Sequence, residues 1–427
     1  MFRLALVFLI LSASADIANA QLRGHGGPVR ALAISPDGSE AVSGSFDTSV
    51  IRWSLGRNAA EAVLRFHDGA ADAVLWLPDG RIASSGEDAR IALWRKGEQT
   101  PSAVLTGHQG PVVVLAAAPD GASIASASRD GSARVWPLAG EGTTRVLEGH
   151  AQAVNGVAFS PDGAALVTAG YDASLRIWPL RRDGAPSVTT LPSPLNALAI
   201  APDGEIVCAG GDGVVYLLSE TGARKAEIPL AEGPIIALAL SRDGALIAAA
   251  GIRGSVAIID RAARKLLRTL VGPGLPVWSV AFFPDNHTIL TGGADRMIRR
   301  WDAATGEPVG DVVAGAPLDP LATFAGDPGA EVFRACVACH TLRADDGPRA
   351  GPSLAGIFGR RIATLPGYKF SDALKKLDIV WTPETIAKLF ELGPATYTPG
   401  TKMPEQRIGS AEERGALVRF LEKATKE

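Results

Sequence analysis

A turn sequence recurs seven times along most of this chain, and its spacing leaves few folds open. The copies are Pro36-Asp37-Gly38, Pro78-Asp79-Gly80, Pro119-Asp120-Gly121, Pro161-Asp162-Gly163, Pro202-Asp203-Gly204, Arg242-Asp243-Gly244 and Pro284-Asp285-Asn286. Successive copies lie 42, 41, 42, 41, 40 and 42 residues apart. A second column keeps the same step: Trp53, Trp94, Trp136, Trp178, Leu218, Ile259 and Trp301. Between the columns run short β-branched stretches such as Ser49-Val50-Ile51-Arg52-Trp53. Tight turns, short strands and a fixed period predict one four-stranded sheet per unit. Seven such units predict a closed ring, which leaves only short, protected edges.

Polar columns run beside the apolar ones. Gly24-His25, Gly107-His108 and Gly149-His150 open units, and His67 opens the second without its glycine. An aspartate precedes the tryptophan by six residues in five units: Asp47, Asp88, Asp130, Asp172 and Asp295. Four residues before each stands a hydroxyl: Ser43, Ser84, Ser126, Thr168 and Thr291. Buried polar groups need partners, so we expect a chain from histidine to hydroxyl to aspartate to indole. These columns resemble the WD-repeat family of β-propellers over residues 21–315. Units five and six depart from the pattern, with Cys208 at a hydroxyl position and Ala249, Arg253 and Ile259 in unit six. Cys208 reads as a buried core cysteine, the alternative being a reactive thiol. How the last blade gains its outer strand stays open: residues 307–313 could supply it, and Gln21 to Arg23 looks too short for it.

Arg3, the apolar run Leu4 to Leu11 and Ala18-Asn19-Ala20 form a secretory-signal pattern over residues 1–20. The alternative is an N-terminal anchor, but eight apolar residues fall short of the roughly 20 that span a bilayer. No later segment is a transmembrane candidate. We therefore expect export and a periplasmic location. A net charge of −3 gives no sign of a nucleic-acid partner.

Composition shifts after about residue 313, and residues 316–327 read as a linker. Residues 328–427 turn helical: Thr382-Pro383 starts a helix, Gly393-Pro394 stops it, and Ser410 with Glu413 forms a capping box. The expected fold is therefore multidomain, an all-β seven-bladed propeller followed by an all-α domain.

Cys336-Val337-Ala338-Cys339-His340 has the spacing of covalent haem attachment. Two thiols three apart each add to a porphyrin vinyl group, and the next histidine reaches the iron as proximal ligand. A zinc site or a chance match is the alternative. The domain holds no second Cys pair and no other histidine, so a four-ligand zinc site would be incomplete. The distal ligand follows by elimination. Of three methionines, Met1 falls in the signal and Met297 in a propeller segment, leaving Met403 in a Gly/Pro loop. Thioether ligation favours ferrous iron and a high reduction potential.

Residues 328–427 resemble the soluble cytochrome c class that includes the mitochondrial protein. The resemblance rests on Gly329 to Phe333, Gly351 to Arg360, Pro366-Gly367-Tyr368, Trp381 and Tyr397 to Met403. It implies that the Pro352 carbonyl accepts the His340 N–H, that Arg360 and Trp381 hold a haem propionate, and that Thr401 sits near it. Phe370 and Phe390 stand where the class often has tyrosines, so two pocket hydroxyls are missing. From Asp327 onward 15 basic residues face 13 acidic ones, so no docking ring of lysines is carried over.

The resulting expectation is a non-enzymatic, single-electron carrier with one haem c. Its partners would be redox proteins in the periplasm or at a membrane surface, with the propeller as protein-docking platform. Two alternatives stay open. The propeller could hold a second cofactor or substrate in a redox enzyme, though five of the six histidines are already assigned. A peroxidase or sensor would need an open iron position.

Overall fold

The computed structural model describes residues 21–139, 142–230, 233–271, 274–309, 321–334, 336–337, 339–344, 348–403 and 406–426. The expected signal over residues 1–20 and the linker residues 316–320 lie outside the described residues. Among the described residues, no helix is long and apolar enough to cross a membrane.

The repeat folds into seven four-stranded antiparallel sheets, one per unit. The first comprises Val29–Ile34, Glu40–Ser45, Ser49–Ser54 and Ala59–Arg65 in that order. Each recurring turn closes the first hairpin of its blade. All seven turn aspartates accept the backbone N–H two residues on, from Ser39, Arg81, Ala122, Ala164, Glu205, Ala245 and His287. The next residue sits in the left-handed region, which glycine enters at no steric cost; Gly38 has φ 72° and its seventh counterpart Asn286 has φ 68°. The innermost strand of every blade carries a bulge at the same place, such as Val29/Ala31 in the first. A bulge increases local twist, so its repetition curls each blade alike. Apolar clusters then join neighbouring blades, as when Val42 and Val50 of the first pack with Val74 and Trp94 of the second.

The polar columns do form buried chains, in a different order from the one expected. In the first blade the Trp53 indole donates to Ser43 Oγ (2.7 Å), Ser43 meets His25 Nε2 (2.7 Å), and His25 Nδ1 meets Asp47 (3.0 Å). Blades two, three and four repeat this sequence. An indole only donates, so the hydroxyl accepts from it and gives its own hydrogen to Nε2. The aspartate therefore ends the chain. In blade five Asp212 instead accepts from the Tyr216 hydroxyl (2.5 Å), and in blade seven it is Arg299 that bonds Asp295. Cys208 is fully buried among apolar side chains.

Of the two candidate segments, the shorter one closes the ring. Gln21–Leu22 forms the outermost strand of the last blade, pairing with Arg299 and Ile298. Pro308 makes only an isolated bridge to Trp301, and residues 310–313 lie outside the described residues. Two residues suffice because Leu22 inserts its side chain into the core of the first blade, beside Trp53 and Ile298.

The C-terminal domain contains α1 (Pro328–Phe333), α2 (Asp372–Lys375), α3 (Pro383–Leu392), α4 (Pro394–Tyr397) and α5 (Ala411–Ala424). Asp327 caps α1 through Gly329 N–H (2.8 Å). Ser410 accepts from Glu413 N–H (3.3 Å), while the reciprocal capping box forms at Thr382 and Thr385 on α3. α1 and α5 cross at Gly329, with the Phe333 and Phe420 rings tilted against each other, 5.4 Å between centroids. Leu321 and Phe324, placed in the linker by composition, pack into this helical core.

Candidate functional site

The turn after α1 carries the paired cysteines. Backbone N–H groups of Cys339 and His340 both donate to the Cys336 carbonyl, at 3.1 and 3.0 Å. This folds Cys336, Cys339 and His340 onto one side of the chain. Gly351 lies against the imidazole, and a Cβ there would stand 2.6 Å from His340 Cε1. The glycine lets the ring settle on the Pro352 carbonyl, 2.8 Å from Nδ1. A carbonyl only accepts, so Nδ1 carries the hydrogen and the Nε2 lone pair is left for a metal.

All eight residues singled out in the sequence line one cavity of about 450 Å³: Cys336, Cys339, His340, Pro352, Arg360, Trp381, Thr401 and Met403. That volume suits an organic cofactor, whose pockets run from roughly 300 to 1,000 Å³. Leu389, Phe390, Leu417 and Leu421 make its floor apolar. Thr401 Oγ1 accepts from Met403 N–H (3.1 Å), fixing the loop from which the thioether hangs. Arg360 donates to the carbonyls of Ser353 and Ala355, each at 2.9 Å. Its backbone also pairs with that of Trp381. The cavity therefore combines a guanidinium held by backbone carbonyls with an apolar floor.

The electrostatics of the sulfur and imidazole groups follow from burial. Burial pushes the Cys336 thiol up to about 12 and the Cys339 thiol up to about 11. Both sulfurs therefore stay protonated near neutral pH, whereas a thiolate metal ligand needs a lowered pKa. Burial also lowers the His340 pKa, outweighing the Pro352 bond, and the Arg349 and Arg65 charges act in the same direction. The imidazole is thus held neutral and able to ligate. Donor set, volume and lining all fit a haem attached through two thioethers, with one nitrogen and one sulfur available to its iron.

The propeller's share of the site lay outside what the sequence suggested. Gly26 and Arg65 come from the first blade of the propeller and reach the same cavity region. The one available signal was Gly26 itself, the only glycine directly after an opening histidine; its counterparts are Asp68, Gln109 and Ala151.

Comparison with known proteins agrees with both halves. The WD domain, G-beta repeat model matches residues 18–54, 99–137, 142–179, 186–218 and 264–302. The cytochrome c model matches residues 326–425. The chain is 40% identical over 99 residues to cytochrome c of Cochliobolus lunatus, covering 91% of that protein and 23% of this chain. Cytochrome c of Arabidopsis thaliana is 40% identical over 99 residues, with 88% of it covered. Cytochrome c type-1 of Ascaris suum is 37% identical over 99 residues, with 87% covered. A cytochrome c domain carries covalent haem c and serves electron transfer, and a WD propeller serves protein interaction. Through its C-terminal domain the chain belongs to the cytochrome c family, joined here to a seven-bladed WD-repeat propeller.

Proposed function

We propose that this chain is an exported, periplasmic c-type cytochrome with a single haem, passing single electrons between proteins without catalysing a reaction of its own. Cys336 and Cys339 would form the two thioethers, and His340 and Met403 would hold the iron. The haem supplies a one-electron couple when bound. The protein supplies the rest. The Pro352 carbonyl orients the His340 ring and raises its basicity. Met403 favours the reduced state and fills the coordination position that oxygen chemistry would need. Arg360, Trp381 and Thr401 line the same cavity and would hold a haem propionate. The observation that carries this reading is the Nδ1 bond of His340, made in a cavity that also holds Met403.

The single-haem reading is supported by the propeller histidines. His25, His67, His108 and His150 each spend both ring nitrogens on a hydroxyl and a carboxylate. They have no nitrogen to give a second iron. The propeller is read as the platform for a redox partner. The export reading rests on the pattern in residues 1–20.

The test is periplasmic expression with haem-maturation machinery, followed by haem staining after denaturation, an iron count and N-terminal sequencing. The expected protein starts at Gln21, keeps its haem through acid acetone and holds one iron per chain. Met403→Ala should let the ferrous protein bind carbon monoxide, which the unmodified protein should not. A colourless product, or carbon monoxide binding by the unmodified protein, overturns the reading.

A further inference from the structure

The residue after the opening histidine is exposed in blades two to four, as Asp68, Gln109 and Ala151. In the first blade it is Gly26, and it is buried. The cover is the helical domain: a Cβ on Gly26 would stand 2.0 Å from Cys339 Sγ. Only glycine lets the cysteine of the attachment motif reach the propeller. The bond from Gly26 N–H to Asp47 (2.7 Å) keeps this loop part of the blade's polar chain.

Arg65, at the end of the outer strand of the first blade, makes the second contact. Its guanidinium donates to the carbonyls of Arg349 (2.5 Å) and Ala350 (2.6 and 3.2 Å) and lies 4.0 Å over the Tyr368 ring. Tyr368 in turn donates its hydroxyl to the Ala350 carbonyl (2.8 Å). Ala350 N–H donates to the Gly24 carbonyl (3.1 Å). These carbonyls lie two and three residues before Pro352, which holds His340. Lys402, next to Met403, bonds the His67 carbonyl and pairs with Asp68 at 3.8 Å. The first two blades therefore grip the two loops that carry His340's support and Met403. Asp47, Arg65 and Phe66 also line the cavity itself.

We propose that the propeller is a wall of the haem site, with Gly26 seating the attachment motif and Arg65 acting as a positioning residue for the loop behind His340. This rests on the haem reading above and goes beyond it, because the cytochrome fold alone supplies neither residue. The wall has two effects. It keeps water and outside proteins from that side of the cavity. It also fixes a guanidinium nearby, and a fixed cation in a low-dielectric site favours the less positive, ferrous iron. The docking face for an external partner then lies elsewhere on the haem domain or on the propeller.

The experiment compares the haem-loaded full chain with Gly26→Leu, Arg65→Gln and Arg65→Lys. Hydrogen exchange at the Ala350 amide reports the contact, and a redox titration reports the haem environment. Gly26→Leu is expected to raise Ala350 exchange by at least about tenfold and to lower the reduction potential. Arg65→Gln is expected to lower the potential, and Arg65→Lys to restore part of it by keeping the charge. Unchanged denaturation midpoints of the sheet signal will show that the propeller itself is intact. Potentials equal to the unmodified protein in both Gly26→Leu and Arg65→Gln overturn the proposal, whether or not exchange rises. A colourless unmodified chain instead overturns the haem reading, and the wall with it.

Discussion

Each tetrad aspartate closes a buried polar chain, and acid should find it first. Burial alone would raise the Asp130 pKa, but hydrogen bonds from Ser132, the Gln109 N–H and His108 bring it down to about 2. Asp172 reaches about 2 for the same reasons, through Ser174, Ala151 N–H and His150. A carboxyl depressed in the folded state contributes stability above its ordinary value of 3.8 and loses it as pH falls towards the folded value. His108 and His150 are lowered by burial against their aspartate bonds, so the unfolded chain takes up their protons first. Urea midpoints should therefore drift down below about pH 6.5 and fall more steeply between about pH 4 and pH 2. A midpoint independent of pH across that span would mean that these chains contribute little.

Among the elements, α1 and α5 cross in close backbone contact. A Cβ on Gly329 would stand 2.1 Å from the Ala416 carbonyl and 2.5 Å from Phe420 Cβ. The obstacle is helix backbone, which cannot swing aside as a side chain can. Gly329→Ala should therefore destabilise the helical domain by about 1–3 kcal/mol, although alanine is otherwise the better helix former. Thermal melting followed in the haem absorption band checks this, and an unchanged midpoint would refute it. The same crossing shows what a single sequence conveys. Gly329 was visible as part of a family pattern, but its reason, the Ala416 carbonyl, belongs to another element. The turn aspartates were legible outright because Asx turns are local. The order of the tetrads was not, since Ser43, Asp47 and Trp53 allow several partner schemes until strand register places them. His25 decides the order by standing between hydroxyl and carboxylate.

On the scale of the whole molecule, the ring depends on a strand of two residues. Leu22 is almost fully buried in the first blade's core while its backbone pairs with the last. Leu22→Ala should cost about 2–5 kcal/mol, as for other fully buried leucines. Because every blade leans on its neighbours, the loss should shift one cooperative unfolding transition to lower urea rather than melt one blade. Two separate transitions within the sheet signal would contradict this. Closure was hidden from sequence because two residues carry no periodicity. The seat of the haem domain was hidden because Gly26 and Arg65 acquire meaning only beside Cys339 and Ala350.

Seven consecutive residues, from Gln21 to Gly27, hold both arrangements at once. Their first pair fastens the circle, and Gly24 and Gly26 form the ledge on which the attachment motif rests. A change in this one short stretch therefore bears on the circle and on the ledge together.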